Sequence, residues 1–407
     1  MGATLNLHRL FSTDDGYLKE LRVADRDREV LSSAREEIRG ALRVAFREWK
    51  KYVTRAELFE QMLEKASIDP DLPAPKFRIQ GSFAYHTVND CQQTPPQQVD
   101  QDDGMFLPIG FISNGGGTRP QIASKAYFKI VEDALKPLCA SRGWTLNPGG
   151  QKDTCVRVGI NSRLHIDLPL YAVEDEAFKQ LMETRAASLH KSIAAMDAAS
   201  ADFSEEVYFY LADSEIALAH RKDGWIGSDP RKLEQWFVTS VTVYGTIVRR
   251  VCRAFKGLRD AHWADSDLGS ICLMAATVTA FGRVGRLETN RDDLAILTVG
   301  RKMVEVLAGP IENPAFPGQP ELHLCNGWEP GFRDEVRGVF SEALDKLERA
   351  IFHTLHRGIA VKLAREAFGD RVPADENLVA LVGVAAVIRQ VVPAPQPKPM
   401  VPRTTSG

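Results

Sequence analysis

The chain has 407 residues, 44% hydrophobic and 26% charged, an ordinary globular balance that suffices for two domains or one two-lobed unit. A formal net charge of −3 leaves no electrostatic footprint for bulk nucleic-acid binding beyond what a local groove could offer. The six cysteines, at positions 91, 139, 155, 252, 272 and 325, form no Cys-X-X-Cys pair, which argues against a zinc site or disulfide framework and for reduced thiols.

At the N-terminus, Met1-Gly2-Ala3-Thr4-Leu5-Asn6 lacks the charged start and apolar core of a signal peptide. No uninterrupted apolar run reaches membrane-spanning length, so a soluble, cytoplasmic protein with no membrane partner is expected. Leu31, Ile38, Leu42, Ala45, Phe46 and Trp49 recur with helical period, predicting one amphipathic helix over 25–53 that packs across the back of a sheet. A proline-rich approach at 70–75 leads to a short strand, Phe77-Arg78-Ile79, and a turn, Gln80-Gly81-Ser82, where Gly81 permits a sharp change of direction. Residues 89–98, with Pro95-Pro96, read as a loop returning the chain to a strand that begins near Val99. Asn114-Gly115-Gly116-Gly117 reads as a second loop and 122–138 as a helix. Strands follow around 144–146, 154–160 and 164–172, with Gly149-Gly150 at a turn.

From about Asp175 the periodicity is mainly helical. Ser228-Asp229-Pro230 is a start signal, since serine caps free N–H groups and proline is tolerated in the first turn; the helix is expected to run to about Arg259. Further helices are predicted over 268–281, 291–307, 332–352 and 378–392, with Met303, Val306 and Leu307 as core contacts. Five prolines then interrupt the last fifteen residues, predicting an extended, disordered tail that ends at Gly407. The division is an α+β lobe over 1–175 including the long helix, a helical lobe over 176–392, and the tail over 393–407, with the ligand cleft between the lobes.

The chemistry concentrates in Val99-Asp100-Gln101-Asp102-Asp103-Gly104. On a strand, residues two apart share a face, so Asp100 and Asp102 project together and Asp103 points away. Asp167, between Ile166 and Leu168, is a carboxylate in another apolar strand, costly to bury without a cation or hydrogen bonds. Three carboxylates near a Gly-Ser turn suit Mg²⁺, a hard ion that takes oxygen ligands and completes its shell with substrate phosphates. They predict a two-metal site, Mn²⁺ being able to substitute, acting on a nucleoside triphosphate. His86 and His165 read as core or supporting histidines, because such a mechanism needs no histidine base. Gly115-Gly116-Gly117 lacks the Lys-Ser/Thr of a Walker loop, and no dinucleotide-binding glycine pattern is present.

The stretch from Gln80 to Asn89, with Asp100-Gln101-Asp102-Asp103-Gly104-Met105 and His165-Ile166-Asp167, resembles the nucleotidyltransferases related to DNA polymerase β. Ser228-Asp229-Pro230-Arg231-Lys232-Leu233, Phe255-Lys256-Gly257-Leu258-Arg259-Asp260 and Gly269-Ser270-Ile271 narrow the resemblance to the bacterial cGAS/DncV-like nucleotidyltransferases (CD-NTases) of anti-phage CBASS systems. It spans nearly the whole chain and implies an α+β fold: a polymerase β-like lobe with a mixed catalytic sheet, a C-terminal helical lobe, and an active-site cleft between them. It implies Asp100, Asp102 and Asp167 as catalytic and metal-binding residues. Nucleotide binding would fall to Gln80, Gly81, Ser82 and Tyr85 on one side and Lys256 and Ser270 on the other, with Arg157 as a further phosphate contact. The implied reaction joins ATP and/or GTP into a cyclic dinucleotide, first of all of the cGAMP type. The alternatives are a cyclic trinucleotide, a linear polymer, nucleotidyl transfer by a toxin, or catalytically silent nucleotide binding. The resemblance also implies an accessory E1/E2-like ligase that conjugates the chain through Gly407.

Overall fold

In the computed structural model, residues 4–59, 72–114, 117–175, 179, 215–227, 230–287 and 290–382 are described. A short strand, β1 (Thr4–Asn6), and two short helices, α1 (His8–Phe11) and α2 (Tyr17–Glu20), come first. Leu5, Leu10, Phe11, Tyr17 and Leu18 are fully buried among the C-terminal helices, so these N-terminal residues pack in the helical lobe. Helix α3 (Asp25–Arg47) begins with Asp25 and Asp27, which favour its positive end, and buries Leu31, Ile38, Leu42 and Phe46. It stops before the predicted 53: a 3₁₀ turn at Trp49–Lys51 and then α4 (Arg55–Phe59) follow.

Strand β2 (Lys76–Ile79) and the single-turn helix α5 (Gly81–Ala84) lead to the eleven-residue strand β3 (Val99–Ile109). Asn114 and Gly117, the ends of the expected loop, are partners where β4 (Phe111–Asn114) meets β5 (Gly117–Pro120) in an antiparallel pair. Helix α6 (Ser124–Arg142) precedes β6 (Thr145–Leu146), β7 (Cys155–Gly159) and β8 (Leu164–Glu174). Two further strands, β9 (Ile216–His220) and β10 (Gly224–Ile226), lie where the periodicity predicted helix. They carry the sheet beyond residue 175. The seven-stranded sheet runs β10-β9-β8-β3-β2, with β7 also on β8 and β6 on β7. Among the described residues only β3 and β8 pair in parallel, so the sheet is mixed.

Alternation sorts the two faces of this central pair. Met105, Leu107 and Ile109 of β3 and Ile166, Leu168 and Leu170 of β8 share a core with Leu31, Ile38, Val131 and Leu135 from α3 and α6. The opposite face carries Asp100, Asp102, His165 and Asp167, with the Phe106 and Tyr171 rings stacked 4.7 Å apart farther along.

The helical lobe comprises α7 (Pro230–Tyr244), α8 (Ile247–His262), α9 (Ser270–Val284), α10 (Asp292–Val306), α11 (Phe332–Phe352) and α12 (Arg357–Phe368). The single helix expected to end near 259 is two, because Gly245 breaks it in a left-handed conformation (φ 92°). Ser228 and Asp229, the predicted cap, lie outside the described residues. Helix α12 was not anticipated, whereas Met303, Val306 and Leu307 are buried. In place of the start of a helix at 378, β11 (Ala380–Val382) pairs antiparallel with β1. The rest of that prediction and the tail, Gly407 included, lie outside the described residues.

Candidate active site

Parallel pairing sets Asp100 opposite His165 and Asp102 opposite Asp167. One ligand atom each from Asp100, His165 and Asp167 forms a set in which all lie within 4.8 Å of one another. Asp100 Oδ1 and His165 Nε2 are 2.9 Å apart but out of hydrogen-bond alignment, so both remain buried polar atoms without a hydrogen-bond partner. The other ring nitrogen, Nδ1, lies 2.9 Å from Gln98 Oε1, which fixes the ring's orientation. Such a set fits a divalent cation better than it fits nothing.

The charges are unequally matched. Asp167 accepts from Arg157 Nε at 2.6 Å and from its second guanidinium nitrogen at 2.7 Å, and Lys152 Nζ lies 3.1 Å from Oδ2. Burial alone would raise the Asp167 carboxyl, yet the Arg157 hydrogen bonds and charge, with Lys152 and His165, outweigh it and hold the pKa low. Asp102 goes the other way: burial first, then the charges of Asp100 and Asp167, push it up to about 8 against Lys152 and Arg157.

Asp102 lies over the Gly-Ser turn. Gly81 has φ +60°, and a Cβ there would meet Asp102 Oδ2 at 2.0 Å, so both backbone conformation and space demand glycine. The Gln80 amide donates to the Asp102 carbonyl at 2.9 Å, tying turn to strand. Beside this turn a cleft of about 350 Å³ opens between the lobes, lined by Ser82, Tyr85, Asp100 and Asp102 on one side and Lys256, Ser270 and Met274 on the other. Lys256 is buried, donates to the Thr87 carbonyl at 2.9 Å, and has its pKa lowered to about 8, first by burial and then by Arg259. Ser270 Oγ accepts from Arg259 at 3.0 Å.

The structure thus brings Gly81, Ser82, Tyr85, Asp100, Asp102, Lys256 and Ser270 to one cleft. Gln80 does not line it: its amide packs on Gly104, and Oε1 accepts from the Tyr171 hydroxyl at 3.4 Å. Arg157, expected to meet phosphate, is engaged with Asp167. Tyr85 also packs on Phe237, with ring centroids 5.6 Å apart. His86 is neither core nor supporting; it is exposed, in a left-handed turn at φ 58°. His165 is buried against Asp100, a core and supporting position as expected. The spacing of two that coupled Asp100 with Asp102 also places His165 on the face of Asp167.

Comparison with known proteins agrees with this geometry. Residues 75–171 match the model of the cyclic GMP-AMP synthase DncV-like nucleotidyltransferase domain, and residues 245–381 that of the cyclic GMP-AMP synthase C-terminal domain, together more than half of the chain. A cyclic GMP-AMP synthase of Vibrio cholerae is 28% identical over the full length of both chains, and one of Escherichia coli is 29% identical over 98% of this chain and 95% of its own. Among solved structures, Vibrio cholerae DncV in its apo form and in complex with the linear intermediate 5′ pppA(3′,5′)pG each superpose with a TM-score of 0.73 at 25% identity. Each covers 94% of this chain and 100% of its own. Both lobes of the fold are matched, and the chain belongs to the bacterial cGAS/DncV-like family of polymerase β-like nucleotidyltransferases.

Proposed function

We propose that this nucleotidyltransferase condenses ATP and GTP into a cyclic dinucleotide of the cGAMP type, releasing pyrophosphate, with Mg²⁺ at Asp100, Asp102 and Asp167. The reading rests on the β3–β8 register, which sets three carboxylates on one sheet face beside a glycine turn. Two buried atoms that make no hydrogen bond and the raised pKa of Asp102 mark a site shaped to take positive charge. When bound, Mg²⁺ would lower the pKa of an attacking ribose hydroxyl and neutralise charge on the departing pyrophosphate. The protein's own groups supply position. Arg157 and Lys152 orient Asp167. Ser82 and the N–H groups of its turn grip a triphosphate oxygen, and Lys256 and Ser270 hold phosphates from the other lobe. Tyr85, Val88, Leu233 and Met274 offer the apolar wall against which a base can lie. The names of the full-length relatives, and the linear pppA(3′,5′)pG held by one of them, support a two-step route through such an intermediate.

The same reading assigns the chain to anti-phage defence signalling. There the Gly407 carboxylate would be adenylated and transferred by an E1/E2-like ligase. Coexpression with that ligase should yield heavier conjugates, and their persistence after deletion of 404–407 would refute this part. For the reaction itself, the purified chain is incubated with labelled ATP, GTP and Mg²⁺, treated with phosphatase, and its products weighed by mass spectrometry. A phosphatase-resistant product with the mass of cyclic GMP–AMP is expected. A ladder of phosphatase-sensitive oligomers, a cyclic trinucleotide or unchanged substrate would each overturn the assignment.

A further inference from the structure

The segment joining the Gly-Ser turn to β3 is unusually rich in side-chain amides, and these converge on one helix. Asn89 Nδ2 donates to the Arg253 carbonyl at 2.8 Å and Gln92 Nε2 to that of Gly257 at 2.5 Å. Gln93 Nε2 reaches the carbonyls of Asp260 at 2.9 Å and Ala261 at 3.1 Å; Gln97 Nε2 reaches those of Asp260 and Trp263, both at 2.8 Å. The last carbonyls of an α-helix have no intrahelical partner, so Gln93 and Gln97 satisfy groups at the end of α8 that would otherwise need water. Gln97 uses its whole hydrogen-bonding capacity, since Oε1 also accepts the backbone N–H groups of Gln92 and Gln93, both at 2.9 Å. The exchange is reciprocal: Arg249 and Lys256 of α8 donate to the carbonyls of Tyr85 and Thr87.

We infer that residues 85–97 form an interlobe latch in which Gln93 and Gln97 position α8, and with it Lys256, at a fixed distance from Ser82 and the Asp100–Asp102 pair. The inference rests on the reading of Lys256 as a phosphate-binding group. Gln93 and Gln97 are positioning residues. Gln93 does not line the cleft, so it can act on a nucleotide only through α8.

The test uses the full chain, with hydrogen–deuterium exchange over residues 254–263 and binding of α,β-methylene-ATP, which cannot react at its α-phosphate. Gln97→Glu keeps the shape but replaces two donors with a carboxylate facing helix C-terminal carbonyls, so exchange should rise and affinity fall about tenfold at neutral pH, recovering in part as the carboxyl protonates. Gln93→Ala is the milder variant, expected to cost about threefold in affinity. Its effect should vanish when Lys256→Ala is already present, as for a residue acting through Lys256. Unaltered exchange in both variants would overturn the latch. Raised exchange with unaltered affinity, or equal losses with and without Lys256, would overturn its positioning role. Wild-type affinity in Lys256→Ala alone would instead remove the reading of Lys256 as a phosphate group, and the inference with it.

Discussion

Replacing Asp102 with asparagine should abolish nucleotidyl transfer and at the same time stabilise the metal-free protein. Its pKa of about 8 means that the folded state resists the charged form, whereas the unfolded chain ionises the group near 4. Below pH 4 both states hold the proton and the carboxyl costs nothing. Between pH 4 and 8 the unfolded state releases the proton while the folded state keeps it, so stability falls by up to about 1.4 kcal/mol per pH unit and levels off above 8. At pH 7 the full penalty is about 4 kcal/mol, and screening through the open cleft reduces it to about 2. Asparagine preserves volume and removes the charge, so Asp102→Asn should melt higher than wild type by about 2–5 °C in EDTA at pH 7. The difference should shrink toward zero near pH 4. Transfer activity with Mg²⁺ should fall about a thousandfold. The assays are scanning calorimetry across pH and product formation from labelled nucleotides. A variant no more stable than wild type, or a difference flat from pH 4.5 to 8, would refute the charge argument; near-normal synthesis would refute the metal-site reading.

Gly81→Ala forces a Cβ to within 2.0 Å of the Asp102 carboxylate at a positive φ, so activity should collapse and the melting temperature fall; a near-silent substitution would contradict the turn geometry. Arg39 donates to both oxygens of the fully buried Asp103, at 2.8 and 2.6 Å, from α3 behind the site. Arg39→Met should therefore cost about 3–5 kcal/mol in urea unfolding, and Arg39→Met with Asp103→Leu markedly less, since the buried carboxylate that Arg39 holds is then removed as well. Lys256, lowered to about 8, should lose its proton in the nucleotide-free protein as pH passes 8. Binding of α,β-methylene-ATP should weaken from pH 7.5 to 9 in wild type, and Lys256→Ala should bind weakly with no such slope. The stability sign is the reverse of a gained ion pair: burial penalises the charged lysine, so its contribution to stability improves as pH rises from about 8 to 10.5.

The placement of the acidic residues was legible because it is encoded at spacing two: Asp100 and Asp102, like His165 and Asp167, reach one face by alternation alone. Helices with strong apolar stripes were equally readable, and α11 matches its predicted bounds. What escaped depends on contacts distant in sequence. Strand β1 is three residues with nothing to mark it except its partner β11, more than 370 residues later. Strand β9 is Ile-Ala-Leu-Ala-His, whose alternation of large and small apolar residues carries no polar face, so period could not separate it from a helix. The split between α7 and α8 hung on the single Gly245, whose left-handed φ is a property of the fold.

Arg157 shows how strand pairing decides which charges meet. The family resemblance implies a phosphate contact there, and antiparallel pairing of β7 with β8 sets it opposite Asp167, where it makes a bidentate ion pair. The consequence is a division of labour among chemically identical carboxylates. Asp167 is charged and oriented before anything binds; Asp102, crowded by Asp100 and Asp167 and lacking such a clamp, bears the electrostatic cost. A cation bound at this face would relieve that cost where it is greatest, and its binding energy would be coupled to the ionisation of the carboxylate that leans over the Gly-Ser turn. The glycine that lets Asp102 approach also shapes the turn that carries Ser82 onto the same cleft, so the acidic pair and the turn form one arrangement.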